Sequence, residues 1–312
     1  MNWLWCGIFG IAGLALLYYG AEWMVSGGVS IARKCRISPL VIGLTLVAFA
    51  TSAPELVVSV LSTLDGHGDV ALGNVVGSNI CNITVILGIS ALIAPIAVNP
   101  KMLKLDIPLL LVISLLLALS ACLLGGVGRI AGAVFLLIGI GYTTFLIRSS
   151  REENAEDEAD EKILKLHWAF LLTILGIGAL VLGAHLFLKS AIFAATRFGI
   201  PDAVIGLTIV ALGTSLPELA TSAVAAFKGQ QDIAIGNVVG SNILNILVIM
   251  GIAPLIRPIT APGISLTDVS MMLGVTLALA LLMKFRPLIS RIAGGAFLLS
   301  ACIYTAYLIS RV

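Results

Sequence analysis

Two stretches of this sequence occur twice, at one fixed separation. GLTLVAFATSAPEL begins at Gly43 and GLTIVALGTSLPEL at Gly206; GNVVGSNICN begins at Gly73 and GNVVGSNILN at Gly236. Both pairs are offset by 163 residues (206 − 43 and 236 − 73), so no insertion separates the blocks. The same offset pairs Gly20, Ala21 and Glu22 with Gly183, Ala184 and His185, and Asp69 with Asp232. Such a chain must fold as two like halves.

The solvent of those halves follows from composition. The 312 residues are 59% hydrophobic and 11% charged, against about 25% charged in soluble domains. Crossing a bilayer core takes about 20 apolar residues in a helix. Apolar stretches fall near 3–32, 39–63, 69–95, 105–124 and 129–147, then near 168–195, 202–226, 232–256, 268–284 and 292–310. The expected fold is an all-α polytopic membrane protein of ten transmembrane helices. Its parts are a first repeat over 1–147, an acidic cytoplasmic linker over 148–167 and a second repeat over 168–312. Five spans per copy is odd, so the second copy crosses in the opposite sense. Inverted five-helix repeats are a plan of secondary transporters, which hold substrate near the midplane between the copies.

Several readings narrow this further. EENAEDEADEKILK in the linker reads as a solvated hinge; it lacks the ligand spacing and central glycine of a Ca2+ loop. A net charge of +2 gives no argument for nucleic acid, and nothing in the sequence points to a protein partner or a resident cofactor. The five cysteines, without a CxxC pair, read as small buried hydrophobes rather than disulfides or a zinc site. The chain has no Lys or Arg before Arg33, so the first apolar stretch reads as a retained helix rather than a leader. With the N-terminus outside, 13 Lys and Arg fall on the inner side and 5 (Arg129, Lys189, Arg197, Arg257, Arg311) on the outer. The positive-inside rule then places both termini outside a plasma (inner) membrane.

The chemistry sits in the duplicated blocks. Glu55 and Glu218 lie mid-span with no Lys or Arg near them in their own helices. A charge there is costly unless it faces protein, water or a counter-ion. Two such carboxylates at equivalent positions of inverted copies converge at the midplane and ask for a cation; the competing reading is a pair of protonated structural carboxyls. Thr51, Ser52, Glu55 and Ser59 recur as Thr214, Ser215, Glu218 and Ser222, while Ser78 and Asn82 (i, i+4) recur as Ser241 and Asn245. Hard cations such as Ca2+ take six to eight oxygens of these kinds. Pro54 and Pro217 lack an N–H, so the carbonyls of Ala50 and Gly213 lose their helical donors and each helix kinks or breaks. Gly73, Gly77, Gly236 and Gly240 fit close helix approach, with Asn74 and Asn237 as support. Asp69 and Asp232 read as helix N-caps or, alternatively, a cation funnel. His185 reads as a packing histidine or a pH sensor. Cys81 borders the site, but Leu244 takes its place in the second copy, so it is not a ligand.

At these residues, GTS-PE followed by GN--GSN in both copies, the sequence resembles the cation/Ca2+ antiporter superfamily, most closely its sodium/calcium exchangers. The resemblance implies two long helices sliding over a compact core and exchange of several Na+ for one Ca2+ by alternating access. Carried over by position, it implies Glu55 and Glu218 as the central Ca2+ ligands. Thr51, Ser52, Ser78, Thr214, Ser215, Ser241 and the carbonyls of Ala48 and Ala211 complete Na+ sites, and Asn82 and Asn245 close the middle. Asn245 stands where many relatives carry Asp, which argues against K+ coupling, and Ala50 replaces a usual glycine. The rivals are exchange of Ca2+ or another divalent metal for H+, an intramembrane hydrolase, and a passive channel. The hydrolase lacks a base, because the duplication places none of His67, His167 and His185 beside the glutamates.

Overall fold

Small residues at seven-residue spacing set the first helix contact. Gly13, Gly20 and Gly27 lie on α1 (Trp3–Cys35) and face Gly183, Gly176 and Ala169 of α8 (Leu166–Arg197), in that order, so the two longest helices run antiparallel. A Cβ on Gly20 would sit 2.9 Å from the Gly176 carbonyl oxygen. Only glycine permits that approach.

The computed structural model describes residues 2–150, 164–199, 211–260, 263–286 and 288–310, the side chains of 150 and 211 excepted. The other elements are α2 (Pro39–Thr51), α3 (Ala53–Leu64), α4 (Gly68–Ile93), the short α5 (Pro100–Lys104), α6 (Asp106–Leu124) and α7 (Arg129–Ser150). After α8 come α9 (Ala211–Thr214), α10 (Leu216–Phe227), α11 (Gln231–Ile256), α12 (Leu266–Phe285) and α13 (Arg291–Ser310). Among the described residues eight helices are long and apolar enough to cross a membrane, and α2 with α3, bent by 47°, makes a ninth. Of the expected 202–226 span, the described part is α9 and α10; its start, including Gly206, lies outside the described residues, as does most of the acidic linker. The chain is an all-α polytopic membrane protein.

The most deeply buried spans are α4 and α11. Each starts and ends at the 163-residue offset from the other, and each carries a π-helical turn, Asn82–Ile86 and Asn245–Ile249. Single π turns inside helices mark functional positions. Gly240 of α11 lies against α2, where a Cβ would meet the Leu44 carbonyl oxygen at 2.6 Å. Four two-residue strands tie the halves together. β1 (Ile96–Ala97) pairs with β4 (Leu288–Ile289), and β2 (Gly126–Val127) with β3 (Ile259–Thr260), both antiparallel.

Some sequence expectations are corrected here. Asp69 and Asp232 do not cap their helices. Each sits inside the first turn, after His67 and Gln230 at the cap positions. Asp69 Oδ1 accepts from the Gly263 backbone N–H at 2.8 Å, so it braces the loop before α12. His185 is exposed rather than packed. Of the cysteines only Cys6 is buried; Cys122 and Cys302 are exposed, and all five are free.

One polar motif went unread, buried in the first half and part-buried in the second. Tyr142 donates to Asp106 Oδ1 and Tyr304 to Asp268 Oδ1, each at 2.8 Å, joining the last two helices of each half. These pairs recur at 162 residues (268 − 106 and 304 − 142), one short of the offset that links the signature blocks.

Candidate functional site

The proline breaks place the acids. Pro54 and Pro217 occupy the first turns of α3 and α10, and Glu55 and Glu218 follow them. The breaks share one geometry, Ser52 at φ −81°, ψ 6° and Ser215 at φ −88°, ψ 8°. A helix started here aims its free N–H groups and positive dipole end at the centre, which favours a carboxylate in its first turn. Both glutamates are 1% exposed.

The carboxylates are held reciprocally across the two halves. Ser52 Oγ donates to Glu218 Oε1 at 2.9 Å, and Ser215 Oγ donates to Glu55 Oε1 at 3.1 Å. The hydroxyls of Thr51 and Thr214 also face Glu218 and Glu55 respectively. Thr51 Oγ1 lies 3.3 Å from the Ala48 carbonyl and 3.1 Å from Asn237 Oδ1. Asn74 donates to the Glu55 carbonyl and to Ser59 Oγ, and Asn237 repeats both bonds with Glu218 and Ser222. These asparagines fix the acid helices against α4 and α11.

Two residues the sequence reading missed complete the centre. Asn79 and Asn242 each donate to the other's backbone carbonyl at 3.4 Å. Asn242 Oδ1 accepts from Asn82 Nδ2 at 2.9 Å, and Asn79 Oδ1 accepts from Asn245 Nδ2 at 3.1 Å. This belt of four amides uses the N–H groups of Asn82 and Asn245, and their buried Oδ1 atoms have no protein partner. Glu55 Oε2, Glu218 Oε2 and Ser241 Oγ are likewise buried without one. Unsatisfied oxygens are costly to bury, and here five of them belong to the duplicated site residues. The signal was in the sequence, as the last Asn of GSN in both copies, but its partner depends on how α4 crosses α11.

The remaining expected residues are placed as follows. Ser78 is buried and lines a cavity with Asn74, Cys81, Thr84, Leu212 and Tyr304. The Ala48 carbonyl is engaged by Ser52 N–H at 3.0 Å as well as by Thr51. Ala211 opens α9. Among the described residues no cluster of three or more His, Cys, Asp or Glu could hold a metal. Any cation here is met by two carboxylates and neutral oxygens, an all-oxygen set suited to a hard ion.

The belt makes a prediction. Asn79→Leu leaves Asn245 Nδ2 and the Asn242 carbonyl without their partners, at a cost of about 1–3 kcal/mol for each buried group. A lower thermal midpoint and weaker Ca2+ binding by calorimetry are expected; unchanged values in both would remove the belt from the site.

Comparison with known proteins agrees with this geometry. The family model for the sodium/calcium exchanger protein matches residues 5–148 and 168–310. The chain is 32% identical over 305 residues to the sodium/calcium exchanger MaX1 of Methanosarcina acetivorans, covering 82% of this chain and 84% of that one. It is 34% identical to the inner membrane protein YrbG of Escherichia coli, over 87% of this chain and 86% of that one. A solved structure of the sodium-calcium exchanger NCX_Mj, soaked without Na+ and Ca2+, superposes with a TM-score of 0.86 at 33% identity, covering 98% of this chain and 99% of the other. By sequence and by fold, this chain belongs to the sodium/calcium exchanger family.

Proposed function

We propose that this chain exchanges Na+ for Ca2+ across a plasma (inner) membrane by alternating access, as a transporter and not an enzyme, with no resident cofactor. The observation that carries the reading is the central pair of carboxylates. Glu55 and Glu218 are buried, bonded across the halves through Ser215 and Ser52, and each keeps one free oxygen. One Ca2+ balances their formal charge. Glu55 and Glu218 are its ligands, with Asn82 and Asn245 closing the middle through their free Oδ1 atoms. Thr51, Ser52, Ser78, Thr214, Ser215, Ser241 and the carbonyls of Ala48 and Ala211 supply the flanking Na+ oxygens. Uptake of 45Ca into proteoliposomes, driven by a Na+ or an H+ gradient, is the test; uptake that follows pH and ignores Na+ overturns the reading.

The architecture behind it is ten helices in two inverted repeats, 1–147 and 168–312, joined by the 148–167 linker. Supporting this are the two separate family matches and the equal offsets of α4 and α11. The lysine and arginine bias supports both termini outside. A cysteine at Lys101 is then expected to label only from the cytoplasm and one at Arg257 only from outside. Labelling on the opposite sides reverses the orientation.

A further inference from the structure

The two ends of the long helix pair are held unequally. Lys228 Nζ, just past the end of α10, donates to Glu22 Oε1 of α1 at 2.8 Å, with side chains 29% and 33% exposed. The duplication offset carries Glu22 to His185 (22 + 163) and Lys228 to Asp65 (228 − 163). A second acid–base pair therefore stands at the equivalent positions with its polarity reversed. In the first, the acid is on the long helix and the base on the core; in the second, the base is on the long helix. Asp65 and His185 are both exposed, and no bond joins them or ties either side chain to another described residue.

Packing shows the same asymmetry independently of charge. Against α1, residues Val224, Ala225 and Ala226 of α10 are buried in one cluster with Ala21, Met24 and Val25. Val224 is 7% exposed, whereas its equivalent Leu61 (224 − 163) on α3 is 55% exposed. Met24 and Val25 are fully buried on α1, but their equivalents Phe187 and Leu188 on α8 are only half-buried. α1 lies along α10, and α8 makes no comparable contact with α3. The long helix pair is packed against the core at its Lys228 end and not at its Asp65 end.

We propose that Glu22–Lys228 and Asp65–His185 form an alternating latch, each pinning the α1/α8 pair to the core in one access state, so that one opens before the other closes. This rests on the alternating-access reading. In a transporter of two inverted copies, the two states exchange the roles of the copies. The contact that α1 makes with the end of α10 in one state is then made by α8 with the end of α3 in the other. Asp65 and His185 are the side chains that meet there, and an imidazole bonds a carboxylate whether it is neutral or charged. A half-buried ion pair biases an equilibrium by only a few-fold, which suits a contact that must break in every cycle.

Paired cysteines test the latch in reconstituted full-length protein: Glu22→Cys with Lys228→Cys, Asp65→Cys with His185→Cys, and all four together, with single cysteines as controls for the native thiols. A short bifunctional methanethiosulfonate is expected to cross-link each pair. Either cross-link should stop exchange until reduced, and no four-cysteine chain should carry both. Lys228→Met is expected to raise 65–185 cross-linking about threefold. Chains carrying both cross-links, a 65–185 pair that never cross-links in actively exchanging protein, or cross-linked protein that still exchanges would each overturn the latch. Cross-link yields do not depend on which ions move. Failure of wild-type protein to exchange Ca2+ for Na+ therefore strikes the functional reading alone.

Discussion

Glu55→Gln or Glu218→Gln should abolish Ca2+ exchange and leave the protein folded. The amide nearly matches the carboxylate in shape, and its oxygen can still accept from Ser215 or Ser52, which hold Glu55 and Glu218 at 3.1 and 2.9 Å. What changes is charge. In the proposed site the wild-type pair neutralises one Ca2+ in a buried centre, and either variant would leave the ion half-compensated. Removing one partner from a buried charge pair costs about 3–5 kcal/mol, more than a hundredfold in Ca2+ affinity by the usual conversion of about 1.4 kcal/mol per tenfold. The free amide N–H groups would also point toward a site built of acceptors. Calorimetric Ca2+ titration should show binding lost, with a thermal midpoint close to wild type. Exchange at the wild-type rate in either variant would remove that glutamate from the centre.

What the sequence made legible and what it did not divide along a physical line. Helix positions follow from hydropathy, and the break beside each acid from a proline that cannot donate, so α2, α3 and the placing of Glu55 were readable from local chemistry. The convergence of Thr51, Ser52, Thr214 and Ser215 on the two acids followed from duplication. The amide belt did not, because Asn79 and Asn82 are partnered by Asn242 and Asn245 on another helix, and register between crossing helices is not written in either one. The Asp106–Tyr142 and Asp268–Tyr304 bonds shift by one residue against the main repeat, which hid them from a comparison at 163. Asp69 looked like a cap because Asp is common there, but its carboxylate reaches Gly263 on a loop far away in sequence. Glu22 and Lys228 are 206 residues apart, and only the packing of α1 on α10 joins them.

Coupling gives the other large effect. On the proposed assignment both ions use Glu55 and Glu218, so Na+ and Ca2+ should compete, and an outward Na+ gradient should drive Ca2+ into vesicles. Two carboxylates fix the charge of the centre, and the flanking hydroxyls and carbonyls add neutral oxygens without adding charge. A loaded state with more than two Na+ therefore carries excess positive charge, and the Ca2+ state carries none. If three Na+ leave for each Ca2+ that enters, one net positive charge leaves the vesicle per cycle. An inside-positive potential then assists uptake. Each 100 mV is worth about 2.3 kcal/mol per charge, which changes the attainable Ca2+ ratio about fiftyfold. The measurement is 45Ca accumulation at a fixed Na+ gradient with the potential clamped by K+ and valinomycin. Accumulation should rise as the interior is made positive and fall as it is made negative. Na+-driven uptake indifferent to voltage would mean two Na+ per Ca2+ and a centre that stays neutral throughout the cycle.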